Sequence, residues 1–404
     1  LSLTASSLDD NKLGLIACDA VPTRRVVPAA VIYGANASGK SNIVKALGWM
    51  RSAVLASHRE GEPGGGIQRF PFRLDSASES QPSAFELDFF FGSMRYHYGF
   101  EASDNAFLSE WLYAFPKGRR QTLFQRELQE FRFGRALEGQ NRVISQLTRP
   151  NSLFVSAAAQ NDHKKLSEIS SYIRSIGMYS RISVGPEAFH DKEKLDPRVI
   201  SFLGEIGTGI TGYEYTSFEY SPEDEGKLRE FASAFAKLVD DPVVPDQIIT
   251  RMKGNIRLSH RRRDGGNTFF ELNWESAGTR RLLVLLDAVF RALDQGTPVV
   301  IDELDASLHT EACEAVLRMF SSPENNSNGA QLIATTHDTN LLSSPSLRRD
   351  QIWFTEKDPD GATHLYPLTD IRSRKGDNIE RGYLQGRYGA IPFSGRLSEV
   401  ASGG

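Results

Sequence analysis

Cysteine is nearly absent from this chain of 404 residues, with Cys18 and Cys313 the only two. Two thiols build neither a disulfide framework nor a Cys-based zinc cluster, so a reducing interior is the default. No stretch approaches about 18 consecutive apolar residues, and no spanning helix is expected. The first residues lack a basic region followed by an apolar run and a small-residue cleavage site, so no secretory signal is expected either. Excess charge is missing too. The 47 Lys and Arg against 51 Asp and Glu leave a net charge of −4. That excludes a histone-like basic protein but leaves room for a local nucleic-acid patch. Internal repeats and low-complexity tracts are also lacking. With 40% hydrophobic and 24% charged residues, the chain can bury a sizeable core. A soluble, cytoplasmic protein with no membrane partner is the expectation.

The apolar run at 26–33 (VVPAAVIY) predicts a buried strand, followed by a helix over 41–57. Residues 58–82 predict a long loop, and 84–125 a set of short antiparallel strands. The β-rich run SLFVSAAA at 152–159 predicts one more strand. Helical stripes then follow at Leu166, Ile169, Ile173 and Ile176, at Leu195, Val199, Phe202 and Ile206, and at Leu228, Phe231, Phe235 and Leu238. Strand-like alternation returns over 246–273 around the polar turn HRRRDGG. Beyond it, helices over 280–294 and 308–320 alternate with buried strands at 297–302 and 331–336, and a hairpin spans 351–368. This is an α/β nucleotide-binding core interrupted by a mixed lobe. Residues 1–160 and 251–404 form the two parts of the core, and 161–250 the mainly helical insertion.

Strand, then Gly34-Ala35-Asn36-Ala37-Ser38-Gly39-Lys40-Ser41, then helix fits G-x-x-x-x-G-K-[ST] with the flanks it requires. The glycines let successive backbone N–H groups turn inward toward a β-phosphate, and the helix N-terminus adds partial positive charge. Lys40 can reach the β- and γ-phosphates, and the Ser41 hydroxyl can ligate Mg²⁺. A second strand, Val299-Val300-Ile301, ends in Asp302-Glu303. Burying acids at a strand end is costly unless a cation or partner is there. Asp302 suits Mg²⁺ through water, and Glu303 suits acceptance of a proton from an attacking water. Ser276-Ala277-Gly278-Thr279 opens a helix whose N-terminus can hold a γ-phosphate. One chain cannot readily present both this helix start and its own phosphate loop to one nucleotide, but a second copy can. His337 follows the next buried strand, placed to contact a γ-phosphate or polarise the water.

Together GANASGKS, ESAGT, VVIDELDASLH and TTHD resemble the Walker A, signature, Walker B with D-loop, and H-loop of ABC-type ATPases of the SMC, RecF, RecN and overcoming-lysogenisation groups. The C-terminal pattern RRDQIWFTEKD, LYPL, YLQGRYGAIP resembles abortive-infection ATPases of the RloA/AbiLi type from bacterial anti-phage modules. This resemblance runs over nearly the whole chain. It implies a P-loop NTPase of the α/β class, an ABC-type ATPase head with an antiparallel β subdomain and an inserted helical lobe. ATP and Mg²⁺ would be its cofactors. Lys40 and Ser41 become the phosphate and Mg²⁺ residues, with Gly34, Asn36, Ala37, Ser38, Gly39 and Asn42 completing the cradle. Asp302 becomes the Walker B acid, Glu303 the base and His337 the switch. Ser276 and Gly278 act in trans, and Asp305 of the D-loop crosses the dimer interface. The Q-loop glutamine, at the nucleotide and its metal, is Gln160 or Gln68; Gln160 is preferred because it follows a core-like strand where the helical lobe begins. Two departures stand out. ESAGT replaces the LSGGQ of transporters, and the D-loop ends in His309 where many relatives have Asp.

The resemblance further implies a homodimer or higher homo-oligomer that acts as sensor for a separate effector protein from a neighbouring gene. Neither a nuclease motif nor a zinc spacing provides a second catalytic centre within the chain. The alternative is a RecF-like repair ATPase that binds DNA directly. His260-Arg261-Arg262-Arg263 and Lys117-Gly118-Arg119-Arg120 are then its phosphate contacts, though solvated loops explain both runs equally well. Arg280 and Arg281 serve either a nucleotide across the dimer or the solvation of their helix.

Overall fold

The computed structural model describes residues 1–8, 10, 14–19, 21–180, 195–217, 221, 223–224, 226–230, 254–371, 373–374 and 376–390. A short ribbon of β1 (Ile16–Ala17) and β2 (Arg25–Val26) leads into β3 (Ala29–Gly34), in which every residue is buried. An unbroken apolar run is what a parallel strand covered on both faces requires. Helix α1 (Lys40–Glu60) follows. After α2 (Ser76–Ser80), capped by the Asp75 carboxylate, β4 (Ser83–Phe91), β5 (Met94–Ala102), β6 (Phe107–Ala114), β7 (Gln121–Glu127) and β8 (Glu130–Phe133) form an antiparallel meander in chain order. Next come α3 (Asn141–Leu147), α4 (Phe154–Gln160), α5 (Lys164–Ser175) and β9 (Gly177–Tyr179). Helix α6 (Pro197–Glu205) precedes a second antiparallel sheet of β10 (Ile210–Ser217), β11 (Gly254–Arg261) and β12 (Asn267–Glu271).

The last part alternates α7 (Ala277–Gln295), β13 (Pro298–Ile301), α8 (Thr310–Ser321) and β14 (Gln331–Thr335), then closes with the hairpin β15 (Ile352–Lys357) and β16 (Thr363–Pro367) and α9 (Ile379–Leu384). The central sheet has the order β16-β15-β3-β14-β13-β9, parallel except at β16. Its register sets Ile301 against Ala334 and Thr335 against Ile32, so the carboxyl ends of β3, β13 and β14 share one edge. Ligands of open α/β sheets bind at that edge. The larger core joins this sheet to α7 and α8, and the smaller one joins Met50 and Val54 of α1 to the meander and to α4 and α5. Among the described residues no helix is long and apolar enough to cross a membrane.

Two expectations are corrected. The run SLFVSAAA is a helix over Phe154–Gln160, not a strand. Periodicity does not separate a short buried helix from a buried strand; here the N–H groups of Phe154 and Val155 donate to the buried Glu110 carboxylate at 2.5 and 3.1 Å, which starts a helix. The inserted lobe also begins later than residue 161. Helix α5 packs Leu166, Ile169 and Ile173 into the smaller core, and β9 pairs with β13 in the central sheet. The third helical stripe lies almost wholly outside the described residues.

Glu110 is fully buried, pairs with buried Arg126 at 3.6 Å and accepts the Tyr98 hydroxyl at 3.0 Å. Burial pushes its carboxyl up, while Arg126 and the two N–H donors hold it down. Glu110→Ala leaves the Arg126 guanidinium uncompensated in the core. It is expected to cost about 3 kcal/mol of unfolding free energy, read from urea denaturation.

Candidate functional site

The loop leaving β3 turns back through Ala37 (φ 62°) and Gly39 (φ 105°). At Gly39 a side chain is doubly excluded, by that left-handed backbone and by Thr363, which occupies the space a Cβ would take. The β15–β16 hairpin braces the loop: Ser38 Oγ and Thr355 Oγ1 lie 2.6 Å apart, and Thr363 Oγ1 donates to the Ser38 carbonyl at 2.9 Å. Ser38 and Lys40 are buried, Gly34 closes the strand, and Asn36, Ala37 and Asn42 are exposed along the loop mouth. Lys40 Nζ donates to the carbonyls of Gly34 (2.7 Å) and Ala35 (3.1 Å). Burial pulls its ammonium down from the usual lysine range, opposed by Asp305, Asp302 and Glu303.

Parallel pairing carries β13 to the same edge. Ser41 Oγ donates to Asp302 Oδ1 at 3.2 Å. A hydroxyl and a carboxylate are two hard oxygens, the partial donor set that Mg²⁺ completes with phosphate oxygens and water. Among the described residues no cluster of three or more His, Cys, Asp or Glu forms a separate metal cage.

Glu303 has φ 51°, a left-handed backbone unusual for a residue with a side chain. Two groups hold it there. Its N–H donates to Thr335 Oγ1 at 2.7 Å, and Arg281 Nη2 donates to its carbonyl and to that of Asp302 (3.1 Å for the latter). Arg281 is buried and serves its own chain's carboxylate strand. The Thr335 hydroxyl in turn donates to Asp302 Oδ1 at 2.6 Å, so one fully buried threonine fixes both acids. Thr335→Val keeps the shape but strands the Glu303 N–H. The expected result is a roughly tenfold fall in ATP turnover with ATP binding changed less than about twofold, compared by phosphate release and calorimetry.

His337 is exposed beyond β14, and its N–H donates to both Asp305 oxygens at 3.1 and 3.2 Å; Thr336 Oγ1 donates to Asp305 at 2.9 Å. The Asp305 carboxylate is therefore turned onto its own chain's H-loop. Ser276 caps α7, accepting the Thr279 N–H at 3.0 Å, and Gly278 lies against the Ser307 carbonyl, where a Cβ would collide. The structure thus unites Gly34–Ser41, Asp302, Glu303 and Asp305, with His337 adjoining through Asp305. It sets Ser276 and Gly278 on a separate face.

Gln160 is not brought to this site. Leu153 N–H donates to Ser57 Oγ at 3.0 Å and Ser156 Oγ accepts from the His58 N–H at 3.1 Å, which fixes α4 at the far end of α1. Ser57 lies about 26 Å along the helix from Lys40 and α4 is about 10 Å long, leaving Gln160 at least about 15 Å away. Gln68 is exposed, its carbonyl accepting Trp49 Nε1 at 2.8 Å. The segment beside the carboxylates is instead the end of β9, whose Tyr179 carbonyl accepts the Asp302 N–H at 2.8 Å. Thr335, Thr355, Thr363 and Arg281 are the supporting residues that sequence reasoning missed or left open. Hydroxyls at the ends of otherwise apolar strands were the available signal. In the basic runs, Arg262 pairs with Asp264 at 2.9 Å and Arg120 lies over Tyr113 at 4.8 Å.

A parallel strand, a phosphate-cradling loop, its helix and a carboxylate on a neighbouring strand define a P-loop nucleotide-binding protein of the ABC-type, SMC-like ATPase class. The sequence model of the family described as "AAA domain, putative AbiEii toxin, Type IV TA system" matches residues 29–343, and the chain belongs to that family. No curated protein sequence matches it. Among solved structures it is similar to the "SMC head domain from Thermotoga maritima", with 15% identity over 83% of this chain and 89% of that one and a TM-score of 0.37. It is also similar to an SmcHead bound to the C-winged helix domain of ScpA, at 13% identity over 85% and 91% of the two chains and a TM-score of 0.38. A third is an Smc head with an extended coiled coil bound to the C-terminal domain of ScpA, derived from Pyrococcus furiosus, at 12% identity, 88% and 96% coverage and a TM-score of 0.32.

Proposed function

We propose that the chain is an ATP-hydrolysing ABC-type ATPase whose two copies enclose two Mg·ATP. Each nucleotide is cradled by Gly34–Ser41 of one copy and roofed by Ser276–Gly278 of the other. The observation that carries this reading is the separation of the two faces: Ser276 and Gly278 line a cleft with Ser307 and His309, and no residue of the phosphate loop takes part in it. Ser41 and Asp302 hold Mg²⁺, which neutralises charge on the phosphate oxygens. Lys40 releases the loop carbonyls and turns to the β- and γ-phosphates. Glu303, pinned by Thr335 and Arg281, accepts the proton of the attacking water, and His337 contacts the γ-phosphate side.

Sandwiched and open states differ in γ-phosphate contacts, so nucleotide biases a two-state assembly. The resemblance to RloA/AbiLi-type ATPases extends this to a sensor of an anti-phage module that restrains or releases a separate effector. Direct DNA clamping is not favoured, since Arg262 of the candidate basic run already pairs with Asp264.

Light scattering on Glu303→Gln tests the sandwich. With Mg·ATP the 44.9 kDa chain is expected to double in mass, and to return to one chain when nucleotide is removed. A single-chain mass at saturating ATP would overturn the reading. Co-purification with the neighbouring gene's product, with and without ATP, tests the effector.

A further inference from the structure

The close approach of Gly278 to the Ser307 carbonyl locks the start of α7 to the D-loop. On the face they share opens a cleft of about 350 Å³ lined by Ser276, Gly278, Thr279, Ser307, His309 and Glu311, with apolar residues behind. His309 is the N-cap of α8: its Nδ1 accepts the Glu311 N–H at 3.4 Å. A ring nitrogen that accepts is unprotonated, so the neutral ring carries its proton on Nε2. The cleft wall therefore holds an imidazole N–H donor whose tautomer is set by the helix it caps. Across from it, Ser276 caps α7, so two helix N-termini flank the same space. Glu311 is the carboxylate on this wall. It is exposed at the first turn of α8, and a charge left in water is screened.

We infer that His309 is a trans-acting positioning residue: through Nε2–H it donates to the γ-phosphate of a nucleotide bound by a second copy of the chain. This rests on the two-copy reading above and adds a side-chain donor to the backbone N–H groups of the signature. It also accounts for the departure at this D-loop position. An Asp there would cap α8 equally well but would set a negative charge against the incoming phosphate.

Two substitutions separate capping from donation. His309→Asn keeps an acceptor for the α8 cap and removes the Nε2 donor. His309→Gln extends an amide N–H toward the Nε2 position. In the Glu303→Gln background, His309→Asn is expected to raise the ATP concentration for half-dimerisation about tenfold. His309→Gln should stay within about threefold of the parent. Binding of a ribose-labelled fluorescent ATP to the dilute single chain should be the same in all three. A mixing experiment then reads the trans geometry. Lys40→Ala and His309→Asn are each deficient alone, but their mixture should hydrolyse ATP faster than either, because mixed dimers hold one site with an intact loop and an intact roof. Dimerisation of His309→Asn at the parental ATP concentration would overturn the assignment, as would a mixture no more active than its components. If Glu303→Gln itself stays a single chain, the two-copy reading fails first, and that failure is visible in the parent before any His309 variant is compared.

Discussion

Glu303→Gln is expected to lower ATP turnover about a thousandfold while leaving ATP affinity within about threefold. Glutamine matches glutamate in shape, so the bonds that fix residue 303 survive: its N–H to Thr335 Oγ1 and its carbonyl to Arg281. What disappears is the ability to take a proton. Asp302, one residue earlier, is already engaged by Ser41 and Thr335 and cannot substitute for it. The left-handed backbone at Glu303 (φ 51°) strengthens the assignment. A non-glycine residue there costs on the order of 1–2 kcal/mol, and the surrounding bonds hold it in place rather than relieve it. Phosphate release under saturating ATP, with calorimetric binding on the same samples, separates chemistry from affinity. Turnover equal to the unmodified protein would remove Glu303 as the base.

The parts of this site that were legible in the sequence are those in which chemistry and local structure coincide. Gly34–Ser41 must be a loop between strand and helix to cradle phosphate, and the glycines, the lysine and the apolar flanks all lie within a dozen or so residues. Asp302-Glu303 was readable for the same reason, as two acids ending a buried run. The supports were not legible because they are long-range. Ser38 meets Thr355 from 317 residues away, and Thr335 reaches Asp302 across a strand pairing that no local pattern encodes. Gln160 failed for a different reason. Its placement depended on reading SLFVSAAA as a strand, and that run is apolar enough to be buried in either conformation. Once Glu110 caps it as a helix on the far end of α1, the residue at its end is carried away from the nucleotide. The late start of the lobe follows from β9: three residues are too few to announce a strand, yet their pairing with β13 places them in the central sheet.

Lys40→Ala is expected to weaken ATP binding at least about a hundredfold and to abolish ATP-dependent dimerisation, with the thermal midpoint little changed. Lys40 is 6% exposed, yet its ammonium is spent on two loop carbonyls. Those bonds hold the cation at the mouth of the cradle, where a triphosphate can take it over at small cost in rearrangement. Three carboxylates, Asp305, Asp302 and Glu303, act on the same charge and keep it ionised against burial. Removing it therefore does more than delete one phosphate contact. It leaves a group of acids facing an anion, and that repulsion is why the loss should exceed the tenfold of a single neutral hydrogen bond. Lys40→Arg is not expected to rescue binding, since a planar fork does not fit a space shaped for a point charge beside Gly34 and Ala35. Calorimetry on Lys40→Ala and Lys40→Arg, alongside melting curves, decides the matter. Affinity retained in Lys40→Ala would mean that the backbone N–H groups alone hold the phosphates, and that the carboxylates are neutralised by the metal rather than by the lysine.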